Sequence, residues 1–148
     1  MTRDEATVVV REAKEASGLT WHEIARRVGR SPVWTTAALL GQAPMSSDEA
    51  EAAGEALGLA PDVTAALQRN VMKGSLESPV PTDPLLYRFH EITQVYGTTI
   101  KELILELFGA DGIMSAIDFE LTIERKADPK GDRVVVTYDG KFLTNRKW

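Results

Sequence analysis

The sequence predicts an α+β protein built from a helical N-terminal unit and a smaller helix-and-strand C-terminal unit. Three observations carry this. Apolar residues recur at helical spacing from Glu5 to about Arg69, and beyond Gly112 the period becomes two. Between these regions lies Lys73-Gly74-Ser75-Leu76-Glu77-Ser78-Pro79-Val80-Pro81, with the composition of a linker. The expected division is therefore residues 1–78 as a five-helix bundle and residues 79–148 as the second unit.

The bundle is punctuated by Gly18, Gly29, Gly41, Pro44, Gly58 and Pro61, which leave room for helices at roughly 4–16, 20–27, 31–40, 46–57 and 61–70. Thr20 followed by Glu23 is a capping box, and Ser31-Pro32 sets a cap before a proline at the first helical position. Asp62 or Pro61 opens the fifth. Helices this short are marginal alone and must pack together. In the second unit Asp83-Pro84 opens a helix expected to run to Tyr96. Gly97 ends it, and Thr98 or Thr99 caps a further helix from Ile100 to Phe108. Gly109 and Gly112 bracket a turn. Ile117, Phe119, Leu121 and Ile123 then alternate with polar residues as a half-buried strand. Asp128-Pro129-Lys130-Gly131 makes a turn, Arg133 to Tyr138 a second strand, Asp139-Gly140 a tight turn, and Lys141-Phe142-Leu143 a third short piece. A two- or three-stranded sheet of this size is marginal alone, so an obligate oligomer is expected.

Composition removes whole classes of chemistry. The 148 residues contain no cysteine and two histidines, His22 and His90. A disulfide scaffold, a thiolate nucleophile, a cysteine-based zinc site and an iron–sulfur cluster are excluded, and a multi-histidine metal site has too few ligands. No apolar run approaches the ~20 residues of a membrane span. The expectation is a soluble, cytoplasmic protein. Residues 1–80 carry 8 Lys and Arg against 11 Asp and Glu, and residues 81–148 carry 9 against 11. Both halves are acidic, which counts against binding to phosphates of nucleic acid.

Leu19 to Gly41 nevertheless has helix-turn-helix spacing. Ile24, Ala25 and Val28 give the first helix its apolar face, Gly29 the turn, and Val33, Ala37 and Leu40 seat the second. Base readout needs Arg, Lys, Asn or Gln on the exposed face of that second helix. From Val33 to Leu40 there is none. Arg26, Arg27 and Arg30 are as well explained by a solvated face, and Trp21 and Trp34 by packing.

Two constellations could carry chemistry. Arg88 and Glu91 are three apart on one helix and share a face, while Phe89, Ile92 and Tyr96 lie on another face expected to bury. The pair is either a surface ion pair of small worth or an anion-handling site. Ser115 follows a two-glycine turn at the start of a strand, where its hydroxyl either satisfies the turn or, with nearby backbone N–H groups, faces a small ligand. No G-x-S-x-G elbow surrounds it, so acyl-enzyme chemistry has no support.

Taken in order, Pro81-Thr82-Asp83-Pro84, Tyr87-Arg88-Phe89, Glu91, Gln94-Val95-Tyr96-Gly97-Thr98-Thr99, Phe108-Gly109, Asp111-Gly112-Ile113, Ser115-Ala116-Ile117 and Asp139-Gly140-Lys141 resemble the cyanases, also called cyanate hydratases or cyanate lyases. The likeness reaches Thr36 to Gln42 in the first unit. It implies bicarbonate-dependent decomposition of cyanate to carbon dioxide and carbamate, the carbamate decaying to ammonia and carbon dioxide. It also implies a homodecamer built from dimers, with sites at subunit interfaces and a helix-turn-helix-like bundle that binds no nucleic acid. By motif, the catalytic residues fall on Arg88, Glu91 and Ser115. Arg88 and Ser115 also bind substrate, and Leu143 matches a position close to the site. No metal or organic cofactor is implied, bicarbonate being a co-substrate. Ala110 stands as an extra residue before Asp111-Gly112, and the ending Thr144-Asn145-Arg146-Lys147-Trp148 departs from the family's proline-containing tail.

Overall fold

A computed structural model describes residues 1–74 and 78–145. Residues 75–77 of the expected linker and 146–148 of the unusual tail lie outside the described residues. The chain divides into two compact units at residue 75. The first contains α1 (Arg3–Ser17), α2 (Trp21–Val28), α3 (Pro32–Leu39), α4 (Ser47–Leu57) and α5 (Pro61–Leu67). The second contains α6 (Pro84–Phe108), β1 (Gly112–Lys126) and β2 (Arg133–Thr144).

Local chemistry explains why the first unit's helices stop and start where they do. Thr2, Thr20 and Ser46 each accept from the N3 backbone N–H, and Glu5, Glu23 and Glu49 reach back to the cap's own N–H. These are three complete capping boxes. Ser31 caps α3 ahead of Pro32, and Pro61 opens α5 after Ala60. Gly18, Gly29 and Gly58 close α1, α2 and α4 in the left-handed conformation. The core is made of small and medium side chains, with Val10, Ile24, Leu39, Val63 and Leu67 almost fully enclosed. Alanines at 6, 38, 50, 53 and 66 let the short helices approach closely.

The cap hydrogen bonds hold the Glu5 and Glu23 carboxyls below their ordinary value of 4.5. A depressed carboxylate favours the fold above its unfolded pKa, and that contribution is lost as pH falls through the folded value. The first unit should therefore weaken below about pH 4.5. Thr20→Ala is expected to cost about 1 kcal/mol at neutral pH and to flatten this acid dependence. Denaturant melts at pH 7 and pH 3.5 check both, and equal losses at the two pH values would remove Glu23 from the explanation.

The second unit departs from expectation in three places. The helix does not end at Gly97: α6 runs 25 residues without a break. One glycine inside a helix costs about 1 kcal/mol relative to alanine, too little to interrupt a helix capped at both ends. Asp83 Oδ1 accepts from the Leu85 and Leu86 N–H groups, and Gly109 closes the last turn. Phe89, Ile92 and Tyr96, expected to bury, are exposed, since α6 buries no residue in the single chain.

The third departure is in the sheet, which has two strands rather than three pieces. Strands β1 and β2 pair antiparallel, with Leu121 opposite Tyr138 and Ile113 opposite Leu143. They are joined by the expected turn, in which the Gly131 N–H donates to the Asp128 carbonyl (3.0 Å). Gly140 is not in a turn. It lies within β2, opposite Phe119. Ile117 does not sit in the alternating face either, and is 97% exposed. Both deviations have one cause, a break in the ladder register of β1 between Met114 and Phe119.

Candidate active site

Arg88 and Glu91 lie one turn apart near the start of α6, where Asp83 and Pro84 fix the helix entry. The Arg88 Nε is 3.1 Å from Glu91 Oε2. Both side chains face solvent, so as a contribution to stability the pair is worth little. Its geometric effect is larger. A carboxylate at Nε leaves the outer edge of the guanidinium, with its terminal amino groups, available to a planar anion. The neighbouring Tyr87 and His90 rings, 5.9 Å between centroids, pack beside this pair on the same stretch of helix.

Ser115 is held by the irregularity in β1. The register passes from Met114 opposite Phe142 to Phe119 opposite Gly140. Four residues of β1 (Ser115, Ala116, Ile117 and Asp118) therefore face one residue of β2, Lys141, and the extra backbone must loop out. The Ser115 Oγ stabilises that loop by accepting from the backbone N–H of Ile117 (3.1 Å) and of Asp118 (2.9 Å). A hydroxyl has two lone pairs and one proton. With both lone pairs engaged by main-chain donors, what Ser115 has left to offer is its proton. The hydroxyl thus holds the turn together, and the residue is only 7% exposed.

Leu143 lies on the neighbouring strand at the same end of the hairpin, opposite Ile113, two residues before Ser115. Its side chain is 40% exposed. Ala110 falls in the turn between the Gly109 cap and the first ladder pair, Gly112 with Thr144. Ala110 therefore lies before the strand register begins. The Asn145 N–H closes this end by donating to the Asp111 carbonyl (2.9 Å).

One chain does not bring these groups together. Arg88 precedes Phe108 by 20 residues of continuous helix, about 30 Å of rise. Neither strand packs along α6. The junction is instead made at the far end of the helix, where Phe108 stacks on Phe142 with centroids 4.2 Å apart. Among the described residues no hydrogen bond or ion pair joins Arg88 or Glu91 to Ser115. A concavity on α2 lined by Glu23, Arg26 and Arg27 belongs to the first unit and holds none of the candidate residues.

The helix-turn-helix pair is present as α2 and α3, but its arginines are partly committed. Arg30 pairs with Glu49 at 2.9 Å and lies over the Trp34 ring, 3.9 Å from its centroid. No helix among the described residues is long and apolar enough to cross a membrane.

Sequence reasoning missed Gly140 and Met114, and of the backbone N–H groups near Ser115 expected to face a ligand, those of Ile117 and Asp118 donate to the Ser115 Oγ instead. A glycine inside a valine-rich strand was the available signal, since it marks a bulge or a close backbone approach as often as a turn.

Comparison with known proteins places the chain. Residues 3–70 match the family described as "Cyanate hydratase, N-terminal", and residues 78–147 match "Cyanate lyase C-terminal domain". The chain is 53% identical to the cyanate hydratase of Thiobacillus denitrificans over 148 residues, covering all of both chains. It is 51% identical to that of Polynucleobacter asymbioticus over 148 residues, again covering all of both. Among solved structures it resembles cyanase from T. urticae, with a TM-score of 0.81 and 34% identity over 94% of this chain and 96% of that one. Both units, end to end and in the same order, are those of one group of lyases, and the chain belongs to the cyanate hydratase family.

Proposed function

We propose that this chain is a cytoplasmic cyanase, which combines cyanate with bicarbonate and releases carbon dioxide and carbamate. The observation that carries this reading is the match to cyanate hydratases over the full chain. The carbamate then decays to ammonia and a second carbon dioxide.

The chemistry sets the demands on the site. Both substrates are small anions, and the bond between a bicarbonate oxygen and the cyanate carbon creates a dianion. Forming neutral carbon dioxide and singly charged carbamate from it requires one proton beyond the one bicarbonate brings. The barrier is thus mainly one of positioning and charge. Arg88 supplies a permanent positive charge and a planar fork for the carboxylate groups of the adduct. Ser115 donates its remaining proton as a hydrogen bond to an oxygen or nitrogen on which charge develops. Glu91 would repel either substrate directly, so its role is to orient Arg88, or an arginine from a neighbouring subunit, and, when protonated, to shuttle a proton. Leu143 borders the Ser115 end of the site. These groups answer the electrostatic demand without a metal or organic cofactor.

The substrates meet both groups only if a second chain supplies one of them. The separation of Arg88 from Ser115 along α6 supports a site shared between subunits. So does the large apolar surface of the second unit, where Leu85, Val95, Leu107, Ile117 and Val134 are all more than half exposed. A homodecamer built from dimers is the assembly this reading takes. The first unit serves as packing and not as a nucleic-acid reader, in keeping with the absence of base-reading side chains along α3.

The test is ammonia release from cyanate in carbonate-depleted buffer, with and without added bicarbonate. Ammonia that appears only with bicarbonate is the expected result. None in either buffer, from an intact oligomer, would overturn the reading.

A further inference from the structure

We propose that Gly140 is a positioning residue for this reaction, acting through the Ser115 hydroxyl by admitting the looped segment of β1. The inference rests on the role proposed for Ser115 as a donor to the reacting anions. A side chain at position 140 would have no room. Its Cβ would run into the Met114 Cγ, and would stand 2.9 Å from both the Met114 Sδ and the Ser115 carbonyl oxygen. Real Cβ atoms do not sit this close to their neighbours, and one of these neighbours is main chain, which cannot swing aside like the end of a side chain. Conformational freedom is not the issue, since Gly140 is not among the glycines with positive φ. Space is.

The consequence reaches the hydroxyl through covalent geometry. The Ser115 carbonyl and the Ser115 Oγ belong to one residue, and the next backbone groups along the chain include the two N–H donors that fix Oγ. Displacing the carbonyl by several tenths of an ångström turns the peptide that leads to Ile117 and Asp118. One or both hydrogen bonds to Oγ then break. A released lone pair lets the hydroxyl rotate, and its proton is no longer aimed by exclusion. Met114 is the second half of the device, because its side chain lies across Gly140 and fills the space a larger residue would claim. A small residue opposite Phe119 is therefore a requirement of the bulge on the neighbouring strand.

The test uses the full-length oligomer and four variants: Ser115→Ala, Gly140→Ala, the two combined, and Gly140→Ala with Met114→Ala. Assembly is checked by light scattering, and amide exchange is followed across residues 115–118. Gly140→Ala is expected to lower kcat at least tenfold in an intact oligomer and to speed exchange at Ile117 and Asp118. In the Ser115→Ala background it should lower kcat by less than twofold, because the hydroxyl it misplaces is already gone. Removing the Met114 side chain should restore part of the lost turnover, a rescue that general destabilisation would not show. Wild-type kcat in Gly140→Ala, or an equal fold loss with and without the Ser115 hydroxyl, would overturn the inference. Should Gly140→Ala fail to assemble, the Met114→Ala combination still tests it, since failure of that pair to recover assembly or turnover counts against the steric argument. A Ser115→Ala variant with unimpaired kcat would instead defeat the reading of Ser115 on which this rests.

Discussion

Replacing Arg88 by leucine is expected to lower bicarbonate-dependent ammonia release at least a hundredfold while leaving the mass of the oligomer unchanged. The reason is electrostatic. In the proposed reaction two anions are joined into one species of double charge, and Arg88 is the cation proposed to hold it. Loss of a single donor aimed at developing charge costs about 2.7–4 kcal/mol in enzymes of other kinds, and Arg88 offers both a charge and a fork. Its side chain is 71% exposed and, among the described residues, ion-pairs with Glu91 alone, so the fold loses little when it goes. Arg88→Lys separates the two contributions. Lysine keeps the charge but not the planar pair of donors, so it should recover part of the activity with weaker saturation by bicarbonate. Near-normal turnover in Arg88→Leu would remove Arg88 from the site.

Ser115→Ala is the second large effect, a fall in kcat of between about thirtyfold and a thousandfold, or about 2–4 kcal/mol. Here the loss has two sources. The donor proton disappears, and the Ile117 and Asp118 N–H groups lose their acceptor. The second loss is moderated because Ile117 stands at an exposed loop where water can replace the hydroxyl. Steady-state rates at saturating cyanate, with assembly confirmed by light scattering, measure the sum. An unchanged kcat would leave Ser115 as a turn residue only.

Much of the first unit was legible because its signals are local. Thr20 with Glu23, Ser31 with Pro32, and glycine after α1, α2 and α4 each act within one turn of chain. The second unit was less so. Gly97 carries the same local signal as Gly58, yet one terminates nothing and the other ends α4. The difference lies in the residues C-terminal to each glycine. Gly58 is succeeded within three residues by Pro61, whereas Thr98 and Thr99 lead into Ile100 with no proline or change of period. The helix through Gly97 therefore continues at modest cost. Ser115 was visible as a serine after a turn, but the hydrogen bonds that hold its hydroxyl depend on a register shift. That shift is a relation between β1 and β2, and no single segment records it. Gly140 was misplaced for the same reason. Its partner in space, Met114, is on the other strand. The exposure of Phe89, Ile92 and Tyr96 was missed because periodicity reveals an apolar face and not which chain covers it.

The unbroken length of α6 has a genetic consequence. If its rise keeps Arg88 away from the Ser115 of the same chain, a defect in one residue and a defect in the other need not spoil the same site. Subunits carrying Arg88→Leu and subunits carrying Ser115→Ala, each impaired in a pure assembly, would reconstitute intact sites when they form one oligomer. In a cell carrying both alleles, activity would return without recombination between them. Function in such a mixture belongs to the pairing of neighbours rather than to any one polypeptide.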